Sequence, residues 1–567
     1  MAAAAASALG SRLQELAPVL PLLVLLVCTA AASSASLLVC VCIPLDLFQR
    51  SLLSRLHRAR GAEGSFTVLP SVWRYYSLYY RHLWREVSQP PSMNGFILSP
   101  KRLAVLFALL LLPLVMVWNH IGLALDDVLF PAWRSHPIDD ALFVVGNARS
   151  GTTWLHRLLA QVDGEEGEEG EEVGEEVGED KGGLCLFSTF RTWEIVLAVS
   201  VTWKRLFLLL HRLDQWALRG LVLRALLQVE AGLVGHLEVH KVGLLEAEED
   251  EWLMAHVCRS QLLSFFFPLA GDLLFPLVYF DDDGGGESGG EGEGGGGGDG
   301  GGKANARVGG GLSREEREGI MCFYRDCVRR HLFARWAAPR LLSFPSARPQ
   351  QQQHRRRRQR RQPIFLSKNP AFTMRLRTLK RLFPSCRAAV LLRDPMQSVP
   401  SLVSYVALAW AAFATPTPSN RYPSTATLVD FCLRHYQFPL LELEAQGRGG
   451  GWPSGHFAWV PYARLKTSLG DSVVGLLREL GYHRPGLSAD ADADASTEAD
   501  ADAEAERRML QRLAEEQRLA LAYVSAHAHG VAECCKMQPE ELRALLADVY
   551  AAMGHLLQGQ GGDDDKK

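Results

Sequence analysis

Three stretches of this 567-residue chain carry cations and hydroxyls placed to hold a phosphate-bearing ligand. Arg149-Ser150-Gly151-Thr152-Thr153 offers a guanidinium, three hydroxyls and a glycine within one short segment. Lys368 follows the apolar run Ile364-Phe365-Leu366, and Arg393 follows Ala388 to Leu392, with Ser401 further on. Guanidinium groups make paired, charge-assisted bonds to phosphate oxygens, and a serine adds a neutral donor. Three proton acceptors present themselves: Glu194 in Thr192-Trp193-Glu194, His240 with its titration range near neutrality, and the acids Glu248, Glu249 and Asp250.

These residues need elements to position them. Leu142 to Val145 is an apolar run long enough for a buried strand, and Leu155, Leu158 and Leu159 fall at helical spacing. Strand, glycine-containing turn and helix together make an anion cradle, because amides at the turn and the helix N-terminus point at the ligand. Gly146 and Gly151 stand at the spacing of the nucleotide P-loop, but its lysine is missing and Thr152 and Thr153 occupy that region. A loop without that lysine suits holding a 5′-phosphate better than cleaving a triphosphate. Ile364 to Leu366 and Ala388 to Leu392 read as two further strands, with a helix over Met374 to Phe383 between them. A helix bearing Ser398, Ser401 and Ser404 follows the second. Ligands of open α/β sheets bind beyond the carboxyl ends of strands, so Arg149, Lys368 and Arg393 are expected to converge on one crevice.

At these residues the chain resembles the sulfotransferases that use 3′-phosphoadenosine 5′-phosphosulfate (PAPS). Their 5′-phosphosulfate loop, (K/R)-S-G-T-T-x-L, matches Arg149-Ser150-Gly151-Thr152-Thr153-Trp154-Leu155. Their 3′-phosphate motif, R-x-P followed by a serine, matches Arg393, Pro395 and Ser401. LDDVLFPAW, TWEIVL, the acidic EAEEDE, SKNPAFTMRLRTLKRLFPSCRAAVLLRDP, VPYARL and LLRELGY look like a branch common in bacteria and algae. The resemblance covers most of Leu125 to Tyr482 apart from insertions. It implies an α/β fold with a parallel sheet flanked by helices, P-loop NTPase-like, and direct transfer of a sulfuryl group from PAPS without a metal. Arg149, Ser150, Gly151, Thr152, Thr153, Trp154, Arg393 and Ser401 are then donor-binding, and Lys368 is catalytic together with Glu194 or His240. Related heparan sulfotransferases carry a catalytic glutamate near the place of Glu194. Cytosolic members have a histidine where this chain has Pro370, and the similar branch often has one where it has Phe372.

Composition bounds the rest. The net charge of −3 arises from separate acidic and basic blocks and implies no nucleic-acid partner. Eleven cysteines fall in no CxxC pair; Cys322 with Cys327, or Cys534 with Cys535, could pair in an oxidising lumen. Leu16 to Leu45 is uncharged and long enough to cross a bilayer, although Ala30-Ala31-Ala32-Ser33 leaves cleavage as an alternative. Leu103 to Leu125 is a second apolar run, and the arginine-rich segment between the two reads as a cytoplasmic loop. Residues 1–125 are therefore expected to be a membrane-anchoring region. Residues 126–557 follow as a catalytic domain, facing the Golgi lumen, and 558–567 as a flexible tail. Four low-complexity blocks, about 163–183, 281–311, 350–362 and 489–505, read as disordered insertions. The arginine-rich 350–362 block reads as a solvated loop that could also grip a polyanion.

The acceptor implied is a glycan or a small hydroxylated molecule. Two other functions fit parts of the sequence: a P-loop phosphotransferase or NTPase, disfavoured by the missing lysine, and a non-catalytic nucleotide-binding membrane protein.

Overall fold

A computed structural model describes residues 100–161, 187–234, 243–266, 276–281, 312–337, 364–413, 423–444, 452–482, 530–557 and parts of 510–521. The first apolar run (16–45), His240, the 558–567 tail and the insertions, apart from Asp281, lie outside these residues.

The chain opens with α1 (Pro100–Leu129), β1 (Ala141–Gly146), α2 (Thr152–Gln161), β2 (Phe187–Ser188), α3 (Thr192–Leu197), α4 (Val201–Leu218) and α5 (Leu221–Val234). A 3-10 turn at Asp250–Val257 precedes α6 (Arg314–Leu332), and β3 (Ile364–Lys368) runs into another at Pro370–Arg375. Then come α7 (Leu376–Leu382), β4 (Arg387–Leu392), α8 (Pro395–Phe413), α9 (Thr425–Glu444), β5 (Phe457–Pro461), α10 (Tyr462–Thr467) and α11 (Leu469–Glu479). The last helices are α12 (Val531–Cys535), α13 (Pro539–Leu545) and α14 (Ala547–Leu557).

The five strands form one parallel sheet in the order β2-β3-β1-β4-β5. Every residue of β1 is buried, as expected for a central strand covered on both faces. Alternation then sorts its side chains. Leu142 and Val144 join Ala389, Leu391, Ala458 and Val460 beneath α2 and α11. Phe143 and Val145 join Phe365, Ala388 and Val390 beneath α1, α6 and α7. Each fully buried Leu, Val or Phe contributes roughly 1.5–3 kcal/mol, so these two layers hold the strand ends in place. β1 lies between β3 and β4, and the chain leaves it in one direction and later returns on the other side, which opens a crevice at the strands' carboxyl ends.

The second apolar run, expected to span a bilayer, belongs to α1. From Met116 onward this helix is a wall of the domain. Met116, Val117 and Leu123 enter the core, and Trp118 stacks on Trp203 with ring centroids 4.0 Å apart. The Asn119 amide donates to the Val196 carbonyl at 2.8 Å and accepts from Val199 N, while the Asp126 carboxylate accepts the amides of Val201 and Thr202 at the start of α4. Those buried polar groups find their partners in protein, where lipid would offer none. Among the described residues no helix is long and apolar enough to cross a membrane. The part of the expected span over 103–125 that runs from Met116 packs into the domain core.

Smaller differences have local causes. The chain breaks between α4 and α5 because Arg219 and Gly220 adopt left-handed φ of 52° and 76°, and Asp214 caps α5 at Val222 and Leu223. The expected helix over Met374 to Phe383 begins as the 3-10 turn led by Pro370 and becomes α-helical at Leu376. Cys322, Cys327, Cys534 and Cys535 are free thiols.

Candidate active site

The turn after β1 is shaped by backbone that only certain residues tolerate. Gly146 has φ 129°, and a Cβ there would lie 2.5 Å from the Leu391 carbonyl oxygen, an atom fixed within β4. Thr373 clasps this glycine from the 3-10 turn: its hydroxyl accepts from Gly146 N at 2.8 Å and donates to Gly146 O at 3.0 Å. Arg149 adopts a left-handed φ of 68°, and Gly151 one of 91° with the Tyr462 ring against the position of its missing side chain. The first helical bond of the turn runs from Leu155 N to Gly151 O, so the amides of Thr152, Thr153 and Trp154 precede the hydrogen-bonded ladder of α2. Left-handed residues beside a helix N-terminus turn successive amides toward one point, an arrangement that binds anions.

Ser150 and Asn147 lie in this turn, both fully buried. The Ser150 hydroxyl and the Asn147 amide both lie against the buried Tyr436 hydroxyl.

The second anion motif comes directly against the first. The Arg393 guanidinium donates to the backbone carbonyl of Arg149 at 2.8 Å and lies over the Tyr462 ring. Arg149 Nε lies 3.3 Å from Ser401 Oγ, and its guanidinium faces the Tyr405 ring. Asp394, the neighbour that could have neutralised Arg393, turns away: its carboxylate accepts the amide of Met396 at the start of α8 and the hydroxyl of Tyr550. Two guanidinium groups and one hydroxyl from the loops after β1 and β4 thus share one mouth.

Lys368, at the end of β3, points to the acids of the 3-10 turn. Its ammonium is buried and lies 2.7 Å from Glu249 Oε2. The four consecutive acids divide by environment. Glu251 pairs with the buried Arg375 at 2.9 Å. Asp250 accepts from the Tyr324 hydroxyl and the Asn369 amide, and burial pushes its carboxyl up to about 7. Glu248 accepts the amide of Glu249. The Glu249 side chain alone keeps a partial opening to solvent while it faces the lysine; burial raises its pKa, and Lys368 only partly offsets this. Burial, then the charge of Lys368, lowers His156 of α2 to about 3, which places the Lys368–Glu249 pair within electrostatic reach of the helix that opens the anion loop.

Glu194 is placed differently. One oxygen accepts Arg191 N in the capping of α3, and the other pairs with Lys204 at 3.0 Å and with His331 at 3.3 Å. Burial pushes its pKa up, but Lys204, His331 and Arg335 outweigh this and hold it well below the usual carboxylate range. Ser188 completes the cluster through His331 at 2.9 Å. This buried network ties α3, α4 and α6 to β2, and both oxygens of Glu194 are engaged within it. Phe372, where a histidine stands in the similar branch, is a core ring packed edge-on against Tyr324 and tilted against Phe143.

Two solved structures of sulfotransferases are similar to this chain. One, sulfotransferase STF9 from Mycobacterium avium, is 13% identical with a TM-score of 0.48, covering 84% of this chain and 96% of its own. The other, sulfotransferase STF1 from Mycobacterium tuberculosis H37Rv, is 14% identical with a TM-score of 0.49, covering 88% and 98%. No protein-family profile matches the sequence, and no curated protein matches it significantly.

Several site residues carry no sequence signal of their own. His156, one turn beyond the loop, is buried with Nε2 on the Thr189 hydroxyl at 2.8 Å and Nδ1 without a partner. Tyr462 belongs to α10, nearly a hundred residues after β3, and reaches the loop only because β5 pairs with β4. Tyr436 of α9 donates its hydroxyl to the Arg393 carbonyl at 2.8 Å and so braces the second motif from behind.

Proposed function

We propose that the chain is a sulfotransferase that moves a sulfuryl group from PAPS to a hydroxyl or amine of an acceptor. The observation that carries this reading is the contact between the two anion motifs, with Arg393 on the carbonyl of Arg149 and Arg149 against Ser401. A ligand with one phosphate at each end of an adenosine needs two such sites close together. The buried Ser150 hydroxyl and the cradle kept open by Gly146 and Gly151 fit the 5′ end. Arg393 and Ser401 fit the 3′-phosphate.

Bound PAPS supplies the sulfuryl group and a good leaving group. The residues of the chain hold it and manage charge and protons. The loop amides and Arg149 stabilise negative charge that grows on the leaving 5′-phosphate, and Lys368 supplies a second cation near the reacting centre. Glu249 takes the acceptor's proton: it is the least buried of the four acids, and its raised pKa makes it a stronger base than an ordinary glutamate. Glu194, ionised and locked in its ion pairs, holds the fold together. The acceptor class proposed is a glycan or a small hydroxylated molecule. A membrane-associated protein in the secretory pathway is the setting consistent with the uncharged run from Leu16 to Leu45.

The test is sulfate transfer by the full chain from ³⁵S-labelled PAPS to a panel of polysaccharides and alcohols. Transfer that is lost in Glu249→Gln supports the reading. Folded protein that binds adenosine 3′,5′-bisphosphate but transfers nothing to any acceptor would leave a binding module in place of an enzyme. Magnesium-dependent ATP turnover would replace the reading with a phosphotransferase.

A further inference from the structure

The helical hairpin of α4 and α5 has a surface that the proposed chemistry does not use. Val201 and Lys204 seat the start of α4 in the domain, but beyond Phe207 the hairpin projects, and its large apolar side chains face outward. Leu209, Leu213, Leu221, Leu226 and Val229 are exposed, and Trp216, near the tip, is 84% accessible. Nearly half of the large apolar side chains exposed among the described residues lie on this one hairpin, which makes it a patch rather than ordinary scatter. The turn is rigid. Asp214 accepts the amides of Val222 and Leu223, and Gly220 N donates to the Asp214 carbonyl at 3.1 Å.

The charge of the hairpin says what covers it. Arg212, Arg219 and Arg224 are exposed on the same hairpin, whose acids are the buried, fully engaged Asp214 and the partly covered Glu230. We infer that this hairpin is a docking surface for an anionic lipid bilayer. Its leucines enter the acyl boundary, Trp216 sits at headgroup depth, and the three arginines meet lipid phosphates. Amphipathic helices with apolar residues and a basic flank lie in the interface in this way without spanning it. The inference is independent of the sulfotransferase reading.

The test uses the full chain with vesicles of phosphatidylcholine alone and with about 30% phosphatidylserine, read by hydrogen exchange of the hairpin peptides and by co-sedimentation. The expected result is slowed exchange across residues 206–231 on the anionic vesicles and less on the neutral ones. Leu209→Glu/Leu213→Glu/Trp216→Glu should abolish that slowing and lower vesicle partition roughly tenfold or more with the thermal midpoint unchanged. The proposal is overturned if vesicles leave exchange at the hairpin unaltered, or if neutral and anionic vesicles act equally. Slowing that needs no vesicles also overturns it: dependence on protein concentration assigns the face to a second copy, and independence assigns it to another segment of the chain.

Discussion

Replacing Arg393 by glutamine tests the two-ended anion site most directly. The guanidinium makes two kinds of contact. It donates to the Arg149 carbonyl at 2.8 Å, which steadies the left-handed turn, and its other nitrogens lie 3.3 Å from Gln397 Oε1 at the partly exposed rim of the site. A charge-assisted hydrogen bond is worth about 1.5–3 kcal/mol, and the partial exposure of Arg393 favours the lower part of that range. Loss of the 3′-phosphate contact alone should then weaken adenosine 3′,5′-bisphosphate binding roughly 10- to 50-fold. Loss of the bond to Arg149 should cost about 1 kcal/mol through the loop, a few-fold in affinity for any ligand that uses the 5′ end. Isothermal titration with adenosine 3′,5′-bisphosphate and with 5′-AMP separates the two. The variant should lose most of its affinity for the bisphosphate and only a few-fold for 5′-AMP, and Arg393→Lys should fall between wild type and Arg393→Gln. Equal losses for both ligands would show that Arg393 acts only by bracing the loop. Unchanged affinity would remove the second anion site altogether.

Glu249→Gln should lower kcat by about 10²–10⁴ while binding of adenosine 3′,5′-bisphosphate is preserved, as measured by steady-state turnover and titration. In the wild type, kcat/KM should rise with pH through the Glu249 pKa, at a pH above that of an ordinary glutamate, because the base must be deprotonated and burial raises its pKa. Glu194→Gln should instead destabilise the fold by about 3–5 kcal/mol, since it leaves Lys204 buried without its counter-charge, and urea unfolding reads this directly. For Asp250, the folded-state pKa of about 7 lies above the unfolded value of 3.8, so its contribution to stability is complete at low pH and lost as pH rises through 7. Relative to wild type, Asp250→Asn should therefore gain stability between pH 4 and pH 8, which denaturation at both ends of that window would show. A chain starting at Asp126 should fail to fold, because it lacks the Trp118 stack and the Asn119 bonds that close one side of the core; circular dichroism and solubility check this.

The sheet and the anion loop were legible because local sequence dictates them. Leu142 to Val145 and Ala388 to Leu392 are apolar runs bounded by turns, and the left-handed positions at Gly146 and Gly151 carry the residue such positions favour. The meeting of Arg393 with Arg149 followed from strand-end logic, although the direct bond to a carbonyl did not. The proton acceptors were less legible. Glu194, Glu249 and Asp250 are all acids near apolar segments, and their difference is created by partners at sequence distances above a hundred, Lys368 and Arg335 among them. The apolar run of α1 is ambiguous for a related reason: hydropathy does not distinguish lipid from a protein core. The buried Asn119 and Asp126 that do distinguish them read as minor interruptions. His156 and Tyr462 joined the site only through tertiary packing.

The bond from Arg393 to the Arg149 carbonyl has a consequence for how ligands arrive. It buttons the β1 turn to the β4 turn before anything is bound, so the receptor is assembled in advance and no large closure is needed to bring its halves together. A rigid competitive inhibitor built on a bisphosphorylated nucleoside should thus lose little to reorganisation.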